Sequence, residues 1–320
     1  MDAKSIKKVA CVGAGVIGSS FAANFVMKGY PVVICDIDEK QLAEAKQYIE
    51  KNLKYLAEKN VITWNDIKKI LPKVEYSTDY GVLHEVQFIQ ENGPEKYAIK
   101  HLMLEQIEKH APENAIIASS TSGLIISEIA KMAKHPERCI GGHPYNPPHL
   151  IPLIDLVRGE KTSDEVAQCA YDFYQLLGKE PIIIKKEVPG FIANRLQMAL
   201  YREAADMVMR DVCTVEDIDK ALVFGPGLRW ALLGVFICFE LSGAKAGIEG
   251  LLEKLEPAWN DWLKDMADWK DFPSDWKKTV QEGVNAELAN REPQFGRNHE
   301  DIIRFRDDSL LEILKMHNKL

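Results

Sequence analysis

Residues 8–12 form a short apolar run that ends in Gly13-Ala14-Gly15, and residues 16–27 then carry apolar side chains at helical spacing until Gly29. That order predicts a strand, a tight turn and a helix. A second strand is predicted at 32–36, followed by long polar helices from about 39 to 59, a helix at 65–71, and strands at 74–77, 86–90 and 115–119. Further strands are predicted at 138–141, 152–157 and 181–185, with a helix at 164–177 between the last two. Strands alternating with helices imply an α/β fold with a Rossmann-type, doubly wound parallel sheet.

Beyond residue 186 the period changes. From Pro189 onward nearly all the periodicity is helical, with interruptions at Gly225-Pro226-Gly227, Asp271-Phe272-Pro273 and Glu292-Pro293. The chain is therefore expected to divide into an α/β domain, residues 1–186, and an all-helical domain, residues 187–320. Five of the six tryptophans fall between Trp230 and Trp276, which makes the helical half the expected face of a homodimer. The longest apolar run, 230–239, breaks at Gly234 and falls well short of the roughly 20 residues a membrane span needs, so it reads as a buried helix.

Composition narrows the function. Across 320 residues, 40 basic side chains against 48 acidic ones give a net charge of −8. That balance argues against nucleic acid and against an anionic membrane as partners, and leaves a small-molecule substrate, anionic or not. The first eight residues hold three lysines but lead straight into a strand without the apolar region of a secretory signal, so a cytoplasmic location is expected. Six cysteines, Cys11, Cys35, Cys139, Cys169, Cys213 and Cys238, show no C-x-x-C pair and no metal-ligand spacing. They read as reduced core thiols, and no metal is expected.

Gly13-Ala14-Gly15-Val16-Ile17-Gly18 is a G-x-G-x-x-G pattern that follows a strand and opens a helix. In that setting the first glycine permits the turn, the second admits a pyrophosphate, and the third lets helix and strand pack closely, with phosphates on the helix-start amides around Val16 and Ile17. Asp36 ends the next strand, where a carboxylate accepts both ribose hydroxyls of adenosine and repels a 2′-phosphate. The expected cofactor is NAD rather than NADP. His143-Pro144-Tyr145-Asn146-Pro147-Pro148 sets a histidine at a strand end, twelve residues before Asp155 in the next strand. Such a pair suits a general base steadied by a carboxylate, and it equally suits a structural histidine.

These motifs, with Gln90-Glu91-Asn92 and Lys96, Ser119-Ser120-Thr121-Ser122, and Gly190-Phe191-Ile192-Ala193-Asn194-Arg195, resemble the 3-hydroxyacyl-CoA dehydrogenase superfamily over nearly the whole chain. The resemblance implies an NAD-dependent dehydrogenase in which His143 takes the hydroxyl proton while hydride passes to the nicotinamide, and Asp155 orients His143. It implies that Ser122 and Asn194 hydrogen-bond the substrate oxygen, and that Glu91, Lys96, Ser122 and Asn146 line the nicotinamide end of the cofactor. The family usually has glutamate where this chain has Asp155, one methylene shorter.

After Gly225-Pro226-Gly227 the chain continues Leu228-Arg229-Trp230, and it lacks the stretches typical of the fatty-acyl branch. It resembles instead the free-acid branch, the L-carnitine dehydrogenases and the L-gulonate 3-dehydrogenases of the lambda-crystallin group. That likeness implies a small L-3-hydroxy acid as substrate, with Arg229 holding its carboxylate and Trp230, Tyr145 and Phe236 packed around a cationic group. Two other readings stand beside it. Lys51, Lys54, Lys59, Lys68 and Lys69 lie where acyl-CoA enzymes bind nucleotide phosphates, and the lambda-crystallin likeness allows a structural protein with an idle site.

Overall fold

A computed structural model describes residues 2–320. They form two compact units, one running to Asn194 and taking in Lys319–Leu320, the other spanning Arg195–Asn318. In the first unit β1 (Val9–Val12) feeds α1 (Val16–Met27), and β2 (Val32–Cys35) feeds α2 (Glu39–Glu58) and α3 (Trp64–Ile70). There follow β3 (Val74–Ser77), β4 (Phe88–Glu91), α4 (Tyr97–His110), β5 (Ile116–Ser119) and the single turn α5 (Ile126–Ile129). β6 (Cys139–Pro144), β7 (Leu153–Arg158), α6 (Asp164–Leu176) and β8 (Glu180–Ile184) complete the unit.

The eight strands make one sheet in the order β3-β2-β1-β4-β5-β6-β7-β8. Each residue of β1 and β2 is buried because helices cover both faces. Side chains alternate between them: Val9, Cys11, Val32 and Ile34 join the core under α1, α2 and α6, whereas Ala10, Val12, Val33 and Cys35 join the core that holds Leu104 and Ile107 of α4. α2 shows the matching helical stripe, burying Leu42, Ala45, Ile49, Leu53 and Leu56.

One strand pair departs from the expected all-parallel sheet. β6 and β7 are antiparallel, while every other pair is parallel. The connection between Pro144 and Leu153 is too short for a crossover helix, so the chain can only turn back on itself.

The second unit is helical: α7 (Ala193–Met209, whose first two residues belong to the first unit), α8 (Val215–Phe224), α9 (Pro226–Leu233), α10 (Val235–Ser242), α11 (Gly247–Asp265), α12 (Trp276–Asn290) and α13 (His299–Met316). Thr214 starts α8 with a reciprocal cap, its side chain accepting from the Asp217 amide while Asp217 accepts from the Thr214 amide. The apolar run at 230–239, expected to be one buried helix, is instead split by Gly234 (φ +74) into α9 and α10 and is largely exposed, with Cys238 its one buried residue on α10. Among the described residues no helix is long and apolar enough to cross a membrane.

The first unit reaches past Lys186 because the segment after it is anchored there. Phe191 is fully buried with Ile126, Ile129, Val157 and Ile184, and the Asn194 side-chain amide donates to the Ser122 carbonyl at 2.9 Å.

Candidate active site

β1 lies between β2 and β4, so the loops leaving β1 and β4 diverge around a crevice at the carboxyl edge of the sheet, the place where dinucleotides bind such folds. Gly13 adopts φ +102, and a Cβ there would stand 2.8 Å from the Asn92 carbonyl oxygen. At Gly18 a Cβ would stand 2.0 Å from the Gly13 carbonyl oxygen, whereas at Gly15 it would meet nothing within 4 Å. Two glycines thus close the turn and the third leaves an open face. Gly15 begins α1 with no side-chain cap, so the first-turn amides around Val16 and Ile17 are left for an anion.

Asp36 receives the Ala14 amide at 2.7 Å on Oδ2 and the Asp38 amide at 3.1 Å on Oδ1. It therefore shapes the glycine loop and keeps lone pairs for ribose hydroxyls. Ile37, which the sequence reading passed over, is 83% exposed beside it, and Val16 is 58% exposed. An open pyrophosphate cradle, a ribose acceptor and exposed apolar side chains together fit a dinucleotide.

At the end of β4, Glu91 is buried and its carboxylate is fully engaged. It accepts from Lys100 at 3.0 and 2.9 Å, from the Ser119 hydroxyl at 2.5 Å and from the Gly93 amide at 2.6 Å. Its side chain is turned into the fold, where it braces the crevice. Lys96, one helical turn before Lys100, is exposed at the start of α4. Neighbouring Glu95 clamps the loop after β5, accepting from the Thr121 hydroxyl at 2.6 Å and the amides of Ser122 and Gly123 at 2.8 and 3.2 Å. Ser122 is exposed in that loop, and its carbonyl receives Asn194, so these two predicted residues are brought together.

The antiparallel junction brings the other pair together. His143 and Asp155 are direct partners in the β6–β7 register, which sends both side chains to the same face. Both are buried, and Nδ1 of His143 lies 3.6 Å from Oδ2 of Asp155, close enough for charge attraction but outside hydrogen-bond range. Among the described residues, His143 Nδ1 and Asp155 Oδ1 have no hydrogen-bond partner. Asp155 Oδ2 is taken by the Tyr145 hydroxyl, which donates to it at 2.7 Å. The Tyr145 ring stands edge-on to the imidazole at 4.6 Å, with Phe191 on it at 5.7 Å. Gly142 must be glycine for this strand to fit, since a Cβ there would meet the Tyr174 hydroxyl at 2.3 Å. Asn146 is exposed and joined to Pro147 by a cis peptide bond.

Residues 8–188 match the family model of the 3-hydroxyacyl-CoA dehydrogenase NAD-binding domain, and residues 190–283 match that of the C-terminal domain of the same enzymes. The chain belongs to the 3-hydroxyacyl-CoA dehydrogenase family. It is an NAD-dependent oxidoreductase acting as a hydroxy-acid dehydrogenase. The L-carnitine dehydrogenase of Streptomyces coelicolor is 34% identical over 331 residues, covering 99% of this chain and 96% of that protein. A 3-hydroxyacyl-CoA dehydrogenase of Gibberella moniliformis is 37% identical over 323 residues, covering 99% and 97%. Among solved structures, a 5-formyl-3-hydroxy-2-methylpyridine 4-carboxylic acid 5-dehydrogenase, described as an NAD+-dependent dismutase, superposes with a TM-score of 0.78 at 26% identity over 98% of this chain and 97% of that one.

Within this family member, Arg229 and Trp230 belong to the second unit. Arg229 is exposed on α9 and makes no ion pair among the described residues, and Phe236 on α10 is 77% exposed. Of the alternative CoA-phosphate lysines, Lys54 is paired with Glu50 at 2.7 Å and Lys59 lies over the Tyr55 ring. The six cysteines are free, and burial pushes the Cys35 and Cys139 thiols up to about 12. No cluster of metal-ligating side chains occurs among the described residues.

The sequence reading missed Lys100, Glu95 and the role of the Tyr145 hydroxyl. Lys100 had a signal: it shares the buried face of α4 with Leu104 and Ile107, and a lysine on an apolar stripe needs a buried carboxylate.

Proposed function

We propose that the protein oxidises a small L-3-hydroxy acid carrying a free carboxylate, with L-carnitine as the first candidate, to the 3-keto acid. His143 is the general base: its Nε2 takes the hydroxyl proton while the hydride leaves the same carbon for NAD, so one C–O double bond forms as the O–H and C–H bonds break. The nicotinamide, when bound, supplies the hydride acceptor. Asp155 stabilises the imidazolium that results, and Ser122 and Asn194 hydrogen-bond the substrate oxygen. Gly13, Gly15, Gly18 and Asp36 hold the adenine half of NAD, while Lys96 and Asn146 line the nicotinamide end and Glu91 acts there through the frame it braces. Arg229 binds the substrate carboxylate, with Trp230 beside the cationic group.

The observation that carries this reading is the buried His143–Asp155 pair on strands whose loop opens at the same edge of the sheet as the glycine loop. The full-length likeness to L-carnitine dehydrogenases supports the free acid. The unpaired Arg229 supports a carboxylate clamp, since a guanidinium binds a carboxylate through two parallel bonds. We further propose a homodimer through α9 and α10, where Leu228, Leu232, Leu233, Phe236, Ile237 and Leu241 are all exposed in the single chain.

The test is initial rates of NADH formation at alkaline pH with L-carnitine, L-gulonate, L-3-hydroxybutyrate and 3-hydroxybutyryl-CoA. Preference for a free acid is expected, and Arg229→Ala is expected to raise its KM. Preference for the thioester would return the protein to the acyl-CoA branch, and turnover of none of them would favour an idle site.

A further inference from the structure

The His143–Asp155 pair is incomplete as it stands. A carboxylate removed from water needs donors, and Asp155, with no exposed surface, has one: the Tyr145 hydroxyl. The imidazole that would be the second donor stands at 3.6 Å. The ring of the same tyrosine stands edge-on to the imidazole at 4.6 Å. Tyr145 therefore touches both members of the pair at once, the carboxylate on β7 through its hydroxyl and the edge of the imidazole on β6 through its ring. Burial and the bond to Asp155 push the phenol well above its ordinary range, so it remains a donor throughout neutral and alkaline pH.

We propose that Tyr145 is a positioning residue of the dehydrogenase reaction, its hydroxyl holding the short Asp155 side chain in place for the imidazolium that forms on His143. This rests on His143 being the general base. A hydroxyl donated to Oδ2 fixes the oxygen nearest Nδ1, so that a small movement of the charged ring closes the gap. Without it, the carboxylate has no hydrogen-bond donor among the described residues. The role differs from that of a ring lining a substrate cage, because it needs the hydroxyl and leaves substrate choice untouched.

The experiment is a double-mutant cycle between Tyr145→Phe and Asp155→Glu, with kcat, KM and thermal unfolding read for each protein. Tyr145→Phe keeps the ring, and loss of one bond to a charged group is expected to lower kcat about tenfold or more while the KM values for NAD and substrate hold. In the Asp155→Glu background the extra methylene reaches His143 directly, so adding Tyr145→Phe is expected to cost less than about threefold. Wild-type kcat in Tyr145→Phe, or an equal loss in both backgrounds, would overturn the proposal. Where Asp155→Glu does not fold, the split between kcat and KM in Tyr145→Phe decides alone: a rise in substrate KM at unchanged kcat would assign the hydroxyl to substrate binding and overturn the proposal. His143→Ala, measured beside these, separates the two levels, since full activity there would remove the general base whatever Tyr145→Phe shows.

Discussion

Phe21, Phe25, Phe88 and Phe173 of the first unit have no exposed surface, whereas Phe224 and Phe236 of the second are 72% and 77% exposed. The first unit buries its strands between two helical layers and brings its buried charges to partners within the same unit, Lys100 with Glu91 and Arg138 with Glu108. The second buries few apolar side chains on its own, among them Ile218, Leu311 and Leu314, and leaves a row of leucines and aromatics on α9 and α10 outside. Burial of each such side chain is worth about 1.5–3 kcal/mol. One unit is therefore closed by its own sequence, and the other presents the surface that a second copy would cover.

The largest effect should come from disturbing that surface. Leu233→Asp combined with Phe236→Asp is expected to convert a dimer to a monomer in sedimentation velocity while NADH binding to the first unit persists. A wild-type protein that sediments as a monomer at micromolar concentration would end the comparison in this form. Next, Lys100→Ala strands the Glu91 carboxylate in the core, and breaking a buried pair costs about 3–5 kcal/mol. The loss should appear in denaturant unfolding of the first unit. A loss below about 1 kcal/mol, the scale of an exposed pair, would mean that Glu91 reaches water.

The smallest effect concerns Lys179, whose Nζ donates to the carbonyls of Pro148 and Ile151 and so ties down the loop after Tyr145. Burial, with Lys28 nearby, lowers it to about 7. In the unfolded chain a lysine titrates near 10.4, so between those values the unfolded state holds the extra proton and stability rises with pH. The contribution is lost as pH falls toward 7. Lys179→Met should flatten the rise in unfolding temperature between about pH 7 and 8.5, a window that stays below the ordinary thiol range. Equal slopes in both proteins would show that Lys179 keeps its charge.

The first unit was also the more legible in the sequence. Short apolar runs marked seven of the eight strands within two residues, while β6 runs three residues past its expected end, and the glycine loop with Asp36 could be placed because turn, strand and helix lie together along the chain. His143 and Asp155 were visible as a pair, yet their meeting depends on the antiparallel turn between β6 and β7, which alternation alone does not disclose. The 3.6 Å gap and the Tyr145 hydroxyl that serves Asp155 are matters of side-chain reach. Glu91 was legible only through the family resemblance, and its pairing with Lys100 was not, because that bond depends on how the buried face of α4 packs against the end of β4. In the second unit the helices were legible and their burial was not, because an apolar helix face reads the same whether its own chain or another copy covers it.

The most direct test of the account is single-turnover and steady-state kinetics of His143→Ala with the best substrate of the panel, alongside NADH binding by fluorescence. The account predicts a fall in turnover of at least about a hundredfold, the scale of a lost general base, with NADH affinity nearly unchanged. Wild-type turnover in that variant would contradict it.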